Sequence, residues 1–261
     1  MNIESTVKFH SPKSTQISDS PRATASDALT NTDVMCALGM VQSRAPLGFA
    51  AFNGKMNISE NDKKRSVQLL TQYGLKHCDK VAALRKLDMN IKVKVVQTLA
   101  KFAYKDYCRS AAGTELCDCC KGARVIRSKT MVMKHAGCGK TPPKYAEEVT
   151  HTMCPKCNGK GEVSVACCKC NGRGEAVNRE ETERQGVPVK HTCKQCSGRG
   201  YERIPTTKAF RAVSVLAPTL TLDVWKRGAK PFYEELISHI EKEESFADSQ
   251  LKKVTSRITE S

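Results

Sequence analysis

Eight cysteines between Cys117 and Cys196 stand in four C-x-x-C pairs: Cys117/Cys120, Cys154/Cys157, Cys167/Cys170 and Cys193/Cys196. Three of the pairs continue as C-x-x-C-x-G-x-G, over residues 154–161, 167–174 and 193–200. Two residues between the cysteines let one loop aim both thiolates at a single cation, and a tetrahedral zinc site takes two such loops. Four loops therefore predict two zinc ions. The glycines suit the tight turn around a metal, which needs positive φ without a Cβ clash. The first loop runs Cys117-Asp-Cys-Cys120-Lys-Gly122-Ala-Arg124 and lacks the second glycine, so a different turn is expected there.

Four loops allow three pairings. Only nine residues separate Cys157 from Cys167, a short reach that suits one shared site. The expected ligand sets are thus nested: Cys154, Cys157, Cys167 and Cys170 for an inner zinc, and Cys117, Cys120, Cys193 and Cys196 for an outer one. Cys119 and Cys168 fall inside pairs and would offer a one-residue spacing, but the two-residue spacing is the commoner geometry. Cys138, between two glycines, has no evident partner. All of these sites are read as structural. Catalytic zinc keeps an open position beside His or carboxylate ligands, and the chain has neither H-E-x-x-H nor a His in a C-x-x-C frame. Phosphate-loop, dinucleotide-binding and nucleophile-elbow motifs are also missing, so no catalytic residue is assigned and an enzyme is not expected.

The rest of the chain must position these loops. Its 261 residues with a single Trp and 5% aromatics favour several modest modules over one large core. Lys and Arg number 43 against 27 Asp and Glu, a net charge of +16. Two zinc-bound Cys₄ sites would lower that to about +12. Such a surface seeks phosphate and points to nucleic acid or a nucleic-acid machine. The N-terminus has no apolar stretch or cleavage signal, and no run approaches a membrane-spanning length. Paired cysteines in a reducing cytoplasm mean metal rather than disulfide.

Residues 1–33, rich in Ser, Thr, Asp and Asn, are expected to form a flexible arm. Residues 34–116 form a helical region, in which the apolar stretch 34–52 is expected to dock as a short helix interrupted by Gly39, Pro46 and Gly48. Ser59-Glu-Asn-Asp62 offers N-cap chemistry before a helix from Lys63 to Tyr73, and Val95, Val96, Leu99, Phe102 and Ala103 make a helical stripe. Residues 117–203 form the double zinc module, with short hairpins carrying the loops and linkers at 139–145 and 178–186. Residues 204–261 are helical again. A helix at 208–216, a break at Ala217-Pro-Thr-Leu220 and a short helix at 222–229 suggest a helix-turn-helix, with Pro231 opening a further helix to about Glu244. On that reading Arg227 faces a guanine edge, while Lys208, Arg211, Lys226 and Lys230 face DNA. The fold expected is mainly α with a small β-hairpin zinc-binding module and a helix-turn-helix-like C-terminal region.

Two resemblances extend this reading. The repeated C-x-x-C-x-G-x-G block resembles the cysteine-rich zinc domain of DnaJ-type chaperones, in which outer and inner pairs nest; the chain has no His-Pro-Asp tripeptide. Over nearly its whole length the chain is similar to the lambda-type Q antitermination proteins of lambdoid phages. The strings that carry this are Phe9-His-Ser-Pro-Lys-Ser14, Ser18-Asp-Ser-Pro-Arg-Ala-Thr-Ala-Ser-Asp27, Thr32-Asp-Val-Met35, Phe102-Ala-Tyr104, Asp106-Tyr-Cys-Arg-Ser-Ala-Ala112 and Lys242-Glu-Glu-Ser245. This second resemblance implies a late-gene regulator working in the bacterial host cytoplasm. Its partners would be promoter DNA and host RNA polymerase with its σ factor. The regulator engages polymerase at a promoter-proximal pause and makes it ignore terminators. It also implies one zinc on two C-x-x-C pairs, matched here to Cys117/Cys120 and Cys193/Cys196, with the inner pairs as an insertion. The competing readings are a chaperone-like module that binds unfolded peptides and a zinc-stabilised repressor.

Overall fold

The structure, a computed structural model, describes residues 2–10, 31–140 and 142–256. In chain order the elements are α1 (Ile3–His10), α2 (Asn31–Arg44), α3 (Pro46–Lys55), α4 (Glu60–His77), a 3₁₀ turn (Cys78–Lys80), α5 (Ala82–Arg85) and α6 (Met89–Tyr107). Then come β1 (Thr114–Leu116), β2 (Val125–His135), β3 (Lys144–Met153), β4 (Glu162–Ser164), β5 (Glu175–Val177), α7 (Arg179–Gln185) and β6 (Lys190–Thr192). The chain ends in α8 (Thr206–Leu216), α9 (Leu222–Val224), a π-helical turn (Trp225–Ala229) and α10 (Lys230–Ser256). The fold is mostly helical with small two-stranded sheets. Two compact units divide it, one made of Met1–Cys108 with Ile204–Ser261 and the other of Arg109–Arg203.

In the helical unit, apolar residues at three- and four-residue spacing place one stripe of each helix inward. Leu70 of α4, Val95, Val96, Leu99 and Ala103 of α6, Ala209 and Val213 of α8, Trp225, and Leu236 and Ile240 of α10 share one buried cluster. Lysines alternate with apolar residues from Ile91 to Val95, yet this stretch is helix, because the 3.6-residue period of the later stripe covers a core that a strand would miss. Ser59 caps α4 by accepting the Asp62 N–H at 3.2 Å. The Asp106 carboxylate accepts the Ile204 N–H at 2.6 Å, which fixes the two points where the chain leaves and re-enters this unit side by side.

Four features differ from the sequence expectation. Residues Ile3–His10 of the expected arm are helical, and Ile3 is buried with Ala247 and Leu251 of α10; residues 11–30 of that arm lie outside the described residues. The apolar stretch from Val34 makes two helices, since Pro46 cannot continue α2 but suits the first turn of α3. The final helix runs on to Ser256, because Ala247, Leu251 and Thr255 extend its buried stripe past Glu244. Lastly, Pro231 lies in the first turn of α10, but no break separates that helix from the turn before it. Proline lacks an N–H, and its ring would press on the carbonyl four residues back. The π turn at Trp225–Ala229 lies immediately before α10, and the helix passes the proline without a break.

Helix α3 packs against α10 through Gly48, where a Cβ would stand 1.9 Å from the Glu243 carbonyl oxygen. Backbone cannot yield as a side-chain tip can. Gly48→Val is therefore expected to cost about 3 kcal/mol and to lower the melting temperature by roughly 10 °C, as measured by circular dichroism.

Candidate metal centres and nucleic-acid face

The four cysteine loops share one backbone course. The residue after the second cysteine has φ of 50° at Lys121, 49° at Asn158, 48° at Asn171 and 50° at Ser197. At the last position of each loop φ is 68° at Arg124, 80° at Gly161, 75° at Gly174 and 80° at Gly200. Arg124 thus makes the same left-handed turn as the glycines, and the different turn expected there does not occur. For an L-residue this conformation costs about 1–2 kcal/mol. Gly161, Gly174 and Gly200 each donate their N–H to the second cysteine sulfur of their loop at 3.3 Å. These bonds favour the thiolate.

The loops close in two sets. Cys117, Cys120, Cys154 and Cys157 form one cluster and Cys167, Cys170, Cys193 and Cys196 another, all buried, with the sulfurs of each set within 4.8 Å of one another. The sulfurs of Cys117 and Cys154 lie 3.7 Å apart, those of Cys120 and Cys157 3.6 Å. In the second set Cys167 and Cys193 are 4.0 Å apart, and Cys170 and Cys196 3.7 Å. A tetrahedron with Zn–S arms of 2.3 Å has edges of about 3.8 Å. The donor set and its spacing fit a four-coordinate, closed metal ion in each cluster.

This grouping corrects the nested ligand sets. The first and second loops pair, and the third and fourth. Cross-loop hydrogen bonds repeat the same exchange in both clusters. Cys117 N–H donates to Gly161 O at 2.9 Å and Cys154 N–H to Arg124 O at 3.0 Å. Likewise Cys167 N–H donates to Gly200 O and Cys193 N–H to Gly174 O, each at 2.8 Å. The physical reason lies between the loops. Strands β2 and β3 pair antiparallel from Val125↔Met153 to His135↔Lys144, so a hairpin ladder returns Cys154 to Cys120. Strands β5 and β6 do the same for Cys170 and Cys193, with α7 in their connection. Ladder pairing brings hairpin ends together whatever the loop length, and the nine-residue gap after Cys157 carries no such weight. That gap instead holds β4, which pairs with β1.

Of the two expected linkers, the first ends in the start of β3 at Lys144, and 178–186 hold α7, capped by Asn178 and ended by left-handed Gly186. The hairpin's sequence signal was the β-branched run Val125–Ile126 and Val149–Thr152 with polar alternation between. Cys119, Cys138 and Cys168 are exposed and stand outside both clusters. Backbone N–H groups of Cys157 and Lys156, the first the larger influence, hold the Cys154 thiol down near about 6. Those of Cys196 and Gln195 hold Cys193 at about 7. At the module's ends the Arg109 guanidinium pairs with the Glu115 carboxylate and donates to the Glu202 carbonyl.

At the predicted nucleic-acid face, Trp225 is buried 5.7 Å from the Phe210 ring and 6.4 Å from Tyr233, which packs the turn after α8 against α10. Leu222 is 43% exposed. Arg211, Lys226 and Arg227 are exposed; Lys208 and Lys230 are half-buried, and Lys230 pairs with Glu234 at 3.7 Å. Arg227 lines a cleft of about 870 Å³ together with Lys80 and Lys86. These two lysines come from more than a hundred residues upstream in sequence, and no local pattern marked them.

Two outcomes follow for the clusters. A Cβ at Gly174 would stand 2.3 Å from the Gly198 carbonyl oxygen, on top of its positive φ. Gly174→Ala should therefore roughly halve the metal bound per chain, as measured by elemental analysis, by emptying the second cluster alone. Conversely, Arg124→Gly should stabilise the Arg109–Arg203 unit by about 1 kcal/mol, read from chelator-challenged unfolding.

Comparison with known proteins identifies the lineage. Residues 23–111 and 161–248 match the family model described as antitermination protein Q, and residues 112–160 lie outside the match. The unmatched stretch contains β1–β3 and the cysteines of the first cluster, whereas all four cysteines of the second lie inside the match. The chain is 42% identical to antitermination protein Q of Escherichia phage lambda over 98% of its own length and 100% of the relative's. It is 41% identical to antitermination protein Q of Salmonella phage P22 over the same shares. To the prophage antitermination protein Q homolog QuuQ of Escherichia coli K12 it is 39% identical, again over 98% and 100%. The chain belongs to the antitermination protein Q family, whose members are transcription antiterminators and not enzymes.

Proposed function

We propose that this protein acts as a phage late-gene antiterminator by binding rather than by catalysis. It binds a site in the late promoter, engages host RNA polymerase with σ at a promoter-proximal pause, and changes it so that terminators are read through. The observation that carries this is the match to antitermination protein Q relatives along nearly the whole chain. Charge supports it: a net +16 suits a protein that works on nucleic acid.

The two clusters hold zinc as structural ions, one on Cys117, Cys120, Cys154 and Cys157 and the other on Cys167, Cys170, Cys193 and Cys196. All-thiolate donors and closed, buried sets favour zinc and leave no open position for a substrate. DNA is met by α8 and the helical start that follows it, in the manner of a helix-turn-helix. Arg227 reaches a base edge, while Lys208, Arg211, Lys226 and Lys230 hold phosphates. Support comes from the exposure of Lys226 and Arg227 beside buried Trp225, and from Lys80 and Lys86 widening the basic surface at the Arg227 cleft.

Purified transcription from a cognate late promoter tests the reading. Added protein should raise read-through at a downstream terminator; a block to initiation alone would make it a repressor. Arg227→Ala should cost about 1–3 kcal/mol of discrimination for the promoter site, seen as a loss of specific over scrambled-DNA binding with metal content intact.

A further inference from the structure

The long hairpin β2–β3 is the largest element in the stretch that the family model leaves unmatched. Its strands span about 35 Å at the usual rise per residue. Among the described residues its sheet contains only these two strands, so both edges and both faces lack a neighbouring strand. The register divides the side chains sharply. One face carries Ile126, Ser128, Thr130, Val132, Ala146, Glu148, Thr150 and Thr152, where Thr150 joins Ser128 and Thr130 through hydroxyl hydrogen bonds of 3.2 and 3.0 Å. The other carries the large apolar groups. Met131 is 65% exposed, Met133 51%, Tyr145 52%, Val149 55% and Met153 66%. Arg127 and Lys129 lie on that same face, towards the metal end of the ribbon.

Thr130, Glu148 and Thr152 are exposed on the first face, so it is not a buried side, and the large apolar groups of the second face stand open as well. Two thioethers, a phenol and a valine beside an arginine match the make-up of protein interfaces, where Met, Tyr and Arg are enriched. They also form an adaptable surface. Nucleic acid suits the face poorly, because Glu147 stands in it next to Met131 and pairs with Lys129 at 3.7 Å. Residues 125–153 nevertheless hold five Lys or Arg against two Glu, so the complementary surface is apolar and bordered by carboxylates.

We propose that the Met131–Met133–Tyr145–Val149 face of this ribbon is a docking surface for RNA polymerase, seating on an apolar, carboxylate-bordered patch of that enzyme. The inference rests on the antiterminator reading for the partner's identity. The first metal cluster then serves to hold the ribbon's base, since an isolated two-stranded hairpin is marginal in water.

The test uses full-length protein carrying Met131→Ser, Met133→Ser and Tyr145→Ser together, with purified host RNA polymerase holoenzyme as the probe. All three side chains are exposed, so metal content and melting temperature should match the wild type. Affinity for polymerase in the absence of DNA should fall at least tenfold, and promoter DNA binding should stay within twofold. Arg127→Glu with Lys129→Glu should weaken polymerase binding as well and flatten its salt dependence. Unchanged polymerase affinity in the triple variant would overturn the proposal. So would a loss confined to DNA or RNA binding, or a wild type that does not bind polymerase. A wild type that binds polymerase through this face but gives no read-through would leave the docking surface standing and remove the antiterminator reading instead.

Discussion

Everything in the Arg109–Arg203 unit depends on four sulfurs converging at each of two points. The unit has almost no other interior. Among the described residues, only Ile126 and Val163 pack as half-buried apolar groups around the first cluster, and only Ala176 around the second. Hydrophobic burial on that scale cannot offset the ordering entropy of nearly a hundred residues. Sulfurs 3.6 to 4.0 Å apart also cannot all be thiolates without a cation between them. Cys154 and Cys193 lie low while burial pushes the Cys157 thiol up to about 11, so the full set of thiolates forms only with a metal to neutralise it. Metal binding and folding are one event in such a unit.

The same economy accounts for the unusual backbone. Four loops repeat one left-handed course because each must direct two sulfurs inward and hand its next carbonyl to the opposing loop. In the second cluster the opposing tails approach so closely that Cβ atoms at Gly174 and Gly200 would meet carbonyl oxygens at 2.3 and 2.5 Å. In the first, the corresponding approach at Gly161 relaxes to 3.0 Å, the cluster in which Arg124 occupies the opposing tail. A looser contact is what a side chain at that position requires. The helical unit has a different basis: a stripe-to-stripe apolar core around Leu99, Trp225 and Leu236, with its chain exit and re-entry held by Asp106 and Ile204. A module can be carried between such adjacent points without disturbing the core.

Function follows that division. The helical unit carries Arg227 with Lys80 and Lys86 around a cleft, and the inserted ribbon carries Met131, Met133 and Tyr145 outward. One surface is chemically suited to phosphate and base edges, the other to protein. On the antiterminator reading proposed above, a regulator that holds a DNA site and a polymerase would use both.

The sequence by itself determined that there are four thiolate loops, that they make two four-cysteine clusters and that the flanks are helical. Those features are local: spacing within a loop and a 3.6-residue period. It also carried, in strings such as Asp106 to Ala112, the resemblance to the antitermination proteins. Tertiary structure alone decided which loops share a cluster, because hairpin ladders set proximity and chain separation does not. It decided that Arg124 adopts a glycine's conformation, which the opposing loop enforces against local preference. The passage of α10 through Pro231 was settled there too, since the buried stripe from Trp225 to Leu236 rewards an unbroken helix. The gathering of Lys80 and Lys86 beside Arg227 came last from the packing of α5 on the π turn, a contact between residues with no common local pattern.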